Sequence, residues 1–267
     1  MKKKLKKNSY KVVILAGGFG TRLSEYTKDI PKPLVSIKGK PIIVHIIKHY
    51  IKFGFKEFYI ALGYKGSLIK KYFKNKKFGW KINLVDTGEK TMTGGRLKRL
   101  KKFLKEDENF MFTYGDGIST VNIRKLIKFH KKHKKMLTVT AVRPPARFGE
   151  ISIQSNRVIS FKEKPQVSQS WINGGFFVAK KKFLNLIKND STILEKKPLE
   201  EATKKNQLYA FKHYGFWKCM DTKRDKDVLE EIYKKNKFGK NWKKKKILIV
   251  GGTGFIGYHL ALAALKK

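Results

Sequence analysis

KVVILAGGFGTRL, residues 11–23, decides the fold. Lys11 to Leu15 is a short β-branched run of the kind that forms a buried strand. It stops on Ala16-Gly17-Gly18-Phe19-Gly20-Thr21-Arg22. Glycines at such a turn let backbone N–H groups come close to phosphate, and Arg22 adds a planar cationic fork for phosphate oxygens. The loop is not a P-loop, because Gly-Lys-Ser/Thr is missing. Nor is it the dinucleotide fingerprint, because Leu23 stands where the third glycine belongs. Taken by itself, an ordinary tight turn remains an alternative.

Outward from this loop, strand and helix patterns alternate. Pro41 to Phe53 has helical spacing, with Pro41 suited to a first turn. Glu57 to Leu62 reads as a strand, Ser67 to Phe73 as a helix and Lys81 to Val85 as a strand. Leu97 to Leu104 reads as a basic amphipathic helix, and Phe110 to Thr113 as a strand ending at Gly115-Asp116-Gly117. After Met136 the strands crowd together: 137–142, 150–153, 158–163, 175–179 and 208–213, with helices at 182–188 and 226–235. The sum is an α/β fold, Rossmann-like, with a mixed, mostly parallel sheet flanked by helices. A polar, Lys-rich break at residues 236–246 separates residues 10–242 from a tail at 243–267. There a second strand runs into Gly251-Gly252-Thr253-Gly254-Phe255-Ile256-Gly257 and a helix.

Pro31-Lys32-Pro33 stiffens the chain around one cation just after the glycine loop and forbids a regular helix. Asp116 follows a strand between two glycines, which leave room for a nucleotide and a metal; the plainer reading is a turn aspartate. Asp221, by spacing alone, reads as a helix N-cap. Glu163-Lys164-Pro165 ends a strand and reads equally well as a surface ion pair.

Leu15 to Leu23 followed by Pro31-Lys32-Pro33-Leu34 resembles the signature of the sugar-phosphate nucleotidyltransferases, and the resemblance runs from Tyr10 to about Trp242. It implies the nucleotide-diphospho-sugar transferase fold. It also implies Arg22, Lys32, Asp116 and Asp221 as catalytic residues, with Mg²⁺ held by Asp116 and Asp221. For substrate binding it points to Leu15, Ala16, Gly17, Gly18, Phe19, Gly20, Thr21, Lys32 and Gly115. Lys164 would meet the sugar phosphate and Glu163 the sugar hydroxyls, while Asn173 and Gly174 would line the sugar pocket. Residues 85–99, 112–117 and 216–224 are similar to the glucose-1-phosphate cytidylyltransferase branch, which implies CTP and glucose 1-phosphate as substrates and a homo-oligomer. Thr91 and Arg96 sit where that branch contacts substrate, and Arg96, after two glycines, is expected to aim at a triphosphate. The stretch between Phe73 and Val85 is shorter than that branch leads one to expect. The same chemistry on UTP or dTTP, and a non-catalytic regulatory subunit, are the alternatives.

The tail resembles the opening of an extended short-chain dehydrogenase, with only its first strand and helix present. It reads as a truncated fusion or split gene, inactive toward NAD, and suggests a functional link to a CDP-glucose dehydratase.

The formal charge is +43 over 267 residues, but only 8 of the 63 basic residues are Arg. Phosphate and base recognition favours Arg forks, so scattered Lys reads chiefly as a solvated surface, and no specific nucleic-acid partner is expected. The single Cys219 excludes an internal disulfide and suits a reducing cytoplasm. No apolar run is long enough to span a bilayer, and no signal-peptide pattern follows basic Met1 to Lys7. His45 and His49 lack a third metal ligand and read as packing; His130 and His133 read as solvated; Cys219 reads as a small packed residue.

Overall fold

A computed structural model describes residues 10–74, 79–104, 109–143, 150–154, 157–162 and 170–235. The chain divides into two units, residues 1–230 and 231–267. The elements run β1 (Val12–Ala16), α1 (Ser24–Thr27), β2 (Ser36–Ile37), β3 (Lys40–Pro41), α2 (Ile42–Ile51), β4 (Glu57–Leu62), α3 (Gly66–Lys74), β5 (Lys81–Asp86), α4 (Thr93–Arg99), β6 (Asn109–Tyr114) and β7 (Gly117–Ser119). They continue with α5 (Ile123–His133), β8 (Leu137–Val142), β9 (Glu150–Gln154), β10 (Arg157–Lys162), β11 (Ile172–Lys180), α6 (Lys197–Lys204), β12 (Leu208–His213), β13 (Trp217–Cys219) and α7 (Lys223–Lys234).

The main sheet has seven strands in the order β12-β8-β11-β6-β1-β4-β5. β1 is buried along its whole length, as its continuous apolar run requires, and lies parallel to β4 on one side and β6 on the other. The chain moves outward from β1 through β4 to β5, then returns to the opposite flank of β1 as β6. The carboxyl ends of β1 and β6 therefore border a topological switch point, where open α/β sheets take their ligands. β11 runs antiparallel to both β6 and β8. Its reversal brings its first residues to the edge where β6 and β8 end.

Apolar side chains cover both faces. Phe112 of β6 stacks on Phe177 of β11 at 4.3 Å between centroids, with Phe183 beyond it at 6.2 Å. On the opposite face α2 buries Ile42, Ile43, Ile46, Ile47 and Tyr50, and Tyr50 stacks on Phe176. Each such fully buried side chain contributes roughly 1.5–3 kcal/mol. Two expectations need correcting. The basic helix begins at Thr93, not Leu97, because Gly94 and Gly95 form its first turn instead of a loop. The segment expected as a helix at 182–188 is a 3-10 run, Lys181–Leu186. α5 and α6 were not anticipated: the apolar face of α5 (Ile123, Leu126, Ile127) is interleaved with Lys, and α6 is short and buries only Pro198 and Ala202.

Candidate active site

Three neighbouring backbones define the crevice beyond β1 and β6. The glycine loop leaves β1 with Gly17 buried and Gly18 and Phe19 exposed. Gly20 sits at φ +69°, and a Cβ there would come within 2.9 Å of Thr27 Cγ2 and 3.2 Å of Lys32 Cβ. Thr27 Oγ1 donates to Gly20 O and Leu23 O, which fixes the bend. Pro31 is extended and Lys32–Leu34 make one 3-10 turn, so the prolines hold Lys32 on a short rigid segment. That segment packs on Gly115: a Cβ there would meet Leu15 O at 3.0 Å and Pro33 Cγ at 3.2 Å.

Asp116 and Asp221 are far apart in sequence and are joined by a small antiparallel ladder. β13 pairs with β7, setting Cys219 opposite Gly117 and Trp217 opposite Ser119. Met220 N then donates to Asp116 O at 3.0 Å, bringing the two aspartates to one corner. Between them lies Lys32, whose Nζ is 2.6 Å from Asp116 Oδ2 and 2.7 Å from Asp221 Oδ1. Arg22 Nη1 stands 2.9 Å from Asp221 Oδ2, with most of its side chain exposed. Burial alone would lower the Lys32 pKa, but Asp116 and then Asp221 outweigh it and hold the ammonium above its ordinary range. For Asp221, burial works upward, and Lys32 followed by Arg22 brings the carboxyl below the usual range.

Two carboxylate oxygens that touch one nitrogen at 2.6 and 2.7 Å are at most 5.3 Å apart. Oxygens sharing one Mg²⁺ at about 2.1 Å lie up to roughly 4.2 Å apart. Hard oxygen donors already converging on the Lys32 ammonium therefore fit that ion once Lys32 Nζ turns aside and the carboxylates close slightly. Among the described residues no third His, Cys, Asp or Glu completes a cage, so these two carboxylates would leave several coordination positions to water and phosphate oxygens. Asp221 is not a helix N-cap. Thr222 and Asp225 take that role reciprocally: Asp225 N donates to Thr222 Oγ1 and Thr222 N to Asp225 Oδ2. This leaves the Asp221 carboxylate to the site.

Asn173 and Gly174 lie at the start of β11, beside the end of β6. Trp217 Nε1 donates to Gly174 O at 2.7 Å, and Asn173 Nδ2 donates to the Tyr114 hydroxyl. Glu163 and Lys164 lie outside the described residues. Thr91 is buried, its hydroxyl 2.9 Å from where a Cβ on Gly88 would fall.

Arg96 departs from expectation. It is 3% exposed and does not reach toward open space. Its guanidinium donates to Leu62 O, Thr87 Oγ1, Gly88 O, Gly17 O and Glu89 O, at 2.6–2.9 Å. It thus ties together the carboxyl ends of β1, β4 and β5. A Cβ on Gly17 would fall 2.3 Å from Nη1, and one on Gly63 2.2 Å, so both glycines make room for this side chain. Arg96 starts on a helix whose glycines pack against backbone at Asp190 and Thr192, which aims it inward.

His130 is also not solvated: it is 1% exposed and bonded to Thr138 Oγ1 and Asn109 Oδ1. His49 packs against Phe53 and Phe176 with its Nε2 on Val121 O. The Cys219 thiol is pushed up to about 12 by burial, then by Asp221 and Asp116, and is a packed, unreactive group. Tyr114, Trp217 and Glu195 carry no motif that marks them in sequence; only the folded register brings them to the crevice. No helix among the described residues is long and apolar enough to cross a membrane.

A glycine turn, a rigid lysine and two convergent aspartates at a switch point define an enzyme that handles nucleoside phosphates. The chain belongs to the nucleotidyl transferase family, whose profile matches residues 11–254. It is 48% identical over 249 residues to a glucose-1-phosphate cytidylyltransferase of Salmonella typhi, covering 85% of this chain and 97% of that one. A protein of the same name from Salmonella typhimurium is 47% identical with the same coverage. Among solved structures, HddC from Yersinia pseudotuberculosis complexed with GMP-PN aligns with a TM-score of 0.67 at 27% identity, covering 84% of this chain and 99% of that one. The dehydrogenase-like opening at residues 246–257 lies outside the described residues, and these likenesses extend no dehydrogenase assignment to it.

Proposed function

We infer that the chain transfers a cytidylyl group from CTP to glucose 1-phosphate, giving CDP-glucose and pyrophosphate. The observation that carries this is the single cluster of Arg22, Lys32, Asp116 and Asp221 beneath the glycine turn, read with the relatives' shared name.

The nucleophile is a sugar-phosphate oxygen, already an anion, so the site needs no strong general base. Catalysis reduces to holding two phosphates in line and offsetting their charge. Gly18 and Phe19 offer exposed backbone to the triphosphate. Arg22, largely exposed, is free to swing from Asp221 to the departing pyrophosphate. Lys32 orients the reacting phosphates from its proline-locked turn, and Lys164 is assigned the sugar phosphate by resemblance. Mg²⁺ held by Asp116 and Asp221 would supply charge neutralisation at the α-phosphoryl oxygens. Asn173 and Gly174 receive the sugar, with Glu163 assigned to its hydroxyls by resemblance. By the same reading the protein is a cytoplasmic homo-oligomer whose product feeds a sugar-nucleotide dehydratase.

The deciding experiment is a pyrophosphate-release assay with glucose 1-phosphate across CTP, UTP, dTTP, ATP and GTP. Turnover with CTP should exceed every other nucleotide. Preference for another nucleotide would replace the base assignment, and no turnover with any would reject the reaction.

A further inference from the structure

The crevice contains a second polar cluster, set apart from the aspartate pair. Tyr114, the last residue of β6, donates its hydroxyl to Glu195 Oε1 at 2.5 Å. Thr93, the first residue of α4, donates to Glu195 Oε2 at 2.8 Å, and its hydroxyl accepts Leu194 N. Asn173 Nδ2 donates to the Tyr114 oxygen at 3.2 Å, and Asn173 Oδ1 accepts Gly175 N at 2.8 Å.

The hydrogens in this chain have one consistent direction. An ionised carboxylate only accepts, and a phenol has one hydrogen to give. Glu195 therefore commits that hydrogen and turns the Tyr114 oxygen into an acceptor. The Asn173 amide must then present nitrogen to Tyr114 and oxygen to Gly175 N. One Nδ2–H of Asn173 is left with no partner among the described residues, on a side chain that is itself exposed. Backbone geometry supports the arrangement: Gly175 sits at φ +75°, and a Cβ there would strike the Tyr114 ring at 2.6 Å. Glu195 is also exposed, so its engagement by two hydroxyls is not forced by burial.

We propose that Glu195 is a positioning residue for sugar recognition: through Tyr114 it fixes the Asn173 amide so that its remaining N–H faces an acceptor oxygen of the bound sugar phosphate. Thr93 ties this relay to the first turn of α4. The inference rests on the cytidylyltransferase reading, because it takes a sugar phosphate to lie beside Asn173.

The test is calorimetric binding of CDP and of CDP-glucose to the full chain, since their affinity ratio isolates what the sugar contributes. In Tyr114→Phe, which keeps the ring against Gly175, and in Glu195→Ala, the preference for CDP-glucose should fall about tenfold while CDP binds as before. The double variant should be no worse than either single one, because the two residues act in series. Glu195→Gln should recover most of the preference, because its amide oxygen still accepts the Tyr114 hydroxyl. Unchanged preference, equal weakening of both ligands, multiplied effects in the double variant, or unaltered protein that binds CDP-glucose no tighter than CDP would each overturn the proposal. An unaltered protein that neither binds CDP-glucose nor turns over any nucleotide with glucose 1-phosphate instead removes the functional reading, and this inference with it.

Discussion

Gly63→Ala tests whether Arg96 is the fixed tie that its contacts describe. Gly63 is not among the glycines at positive φ, so alanine meets no backbone penalty there. What it meets is the guanidinium: Cβ would lie 2.2 Å from Nη1 and 2.5 Å from both Cζ and Nη2. Relief requires a displacement of about 1 Å, and five acceptors at 2.6–2.9 Å resist it. Overpacking of this kind costs about 1–3 kcal/mol, and the number of bonds disturbed places Gly63→Ala at about 3 kcal/mol. Arg96→Ala alone should also cost about 3 kcal/mol. It loses charge-assisted bonds, but Leu62 O keeps Thr87 N and Gly17 O keeps Tyr64 N, so only part of the polar cost is exposed. With Arg96 absent, the new methyl enters vacated space. The double variant should therefore cost about 3–4 kcal/mol instead of about 6, a coupling of roughly 2–3 kcal/mol. Urea midpoints for the four proteins complete the cycle. Additivity within about 0.5 kcal/mol, or a Gly63→Ala cost below about 1 kcal/mol, would refute the idea that this glycine exists to admit Arg96.

Lys32→Met leaves Asp116 and Asp221 facing each other and should lose about 2–3 kcal/mol of stability, since truncating one partner strands the rest; thermal melts should show Mg²⁺ raising its midpoint more than that of the unaltered protein. Asp116→Ala should lower kcat at least about a hundredfold while the protein still folds with a modestly lowered melting midpoint, because Asp221 continues to pair Lys32, and near-normal turnover would remove Asp116 from the mechanism. Burial holds the His49 pKa at about 4 against an ordinary 6.5. Its folded form refuses a proton the unfolded chain accepts, so stability is full above pH 6.5 and declines as pH falls toward 4, by roughly 3 kcal/mol from this one group. Denaturation at several pH values should show a flatter profile in His49→Gln over that window.

The parallel strands beside β1 were legible because they are largely apolar runs followed by a glycine turn: 57–62 matches β4 to the residue and leads into Gly63. α5 was not, although Ile123, Leu126, Ile127 and His130 recur at helical spacing, because the interleaved Lys made the stretch around His130 read as solvated. The glycine turn and the Pro-Lys-Pro segment were readable because each depends on local chemistry. The meeting of Asp116 with Asp221 depends on β7–β13 pairing across 100 residues, and two three-residue strands leave almost no trace in sequence. Arg96 misled for a related reason. Two glycines before an arginine signal close approach, but not to what, and here the approach is to backbone carbonyls inside the protein.

Charge gives the same lesson at a larger scale. The formal +43 sets a potential that draws anions from a distance. Yet at the crevice Arg22 and Lys32 face Asp116 and Asp221, two cations against two carboxylates. Local neutrality means that the surface Lys excess does not bind a triphosphate at this point. Selective binding has to come from geometry: a lysine locked between prolines, an exposed arginine with room to turn, and a glycine loop offering backbone to phosphate. On the proposed reading, scattered Lys governs how often a nucleotide arrives, and Arg22, Lys32, Asp116 and Asp221 govern whether it is held in line for transfer.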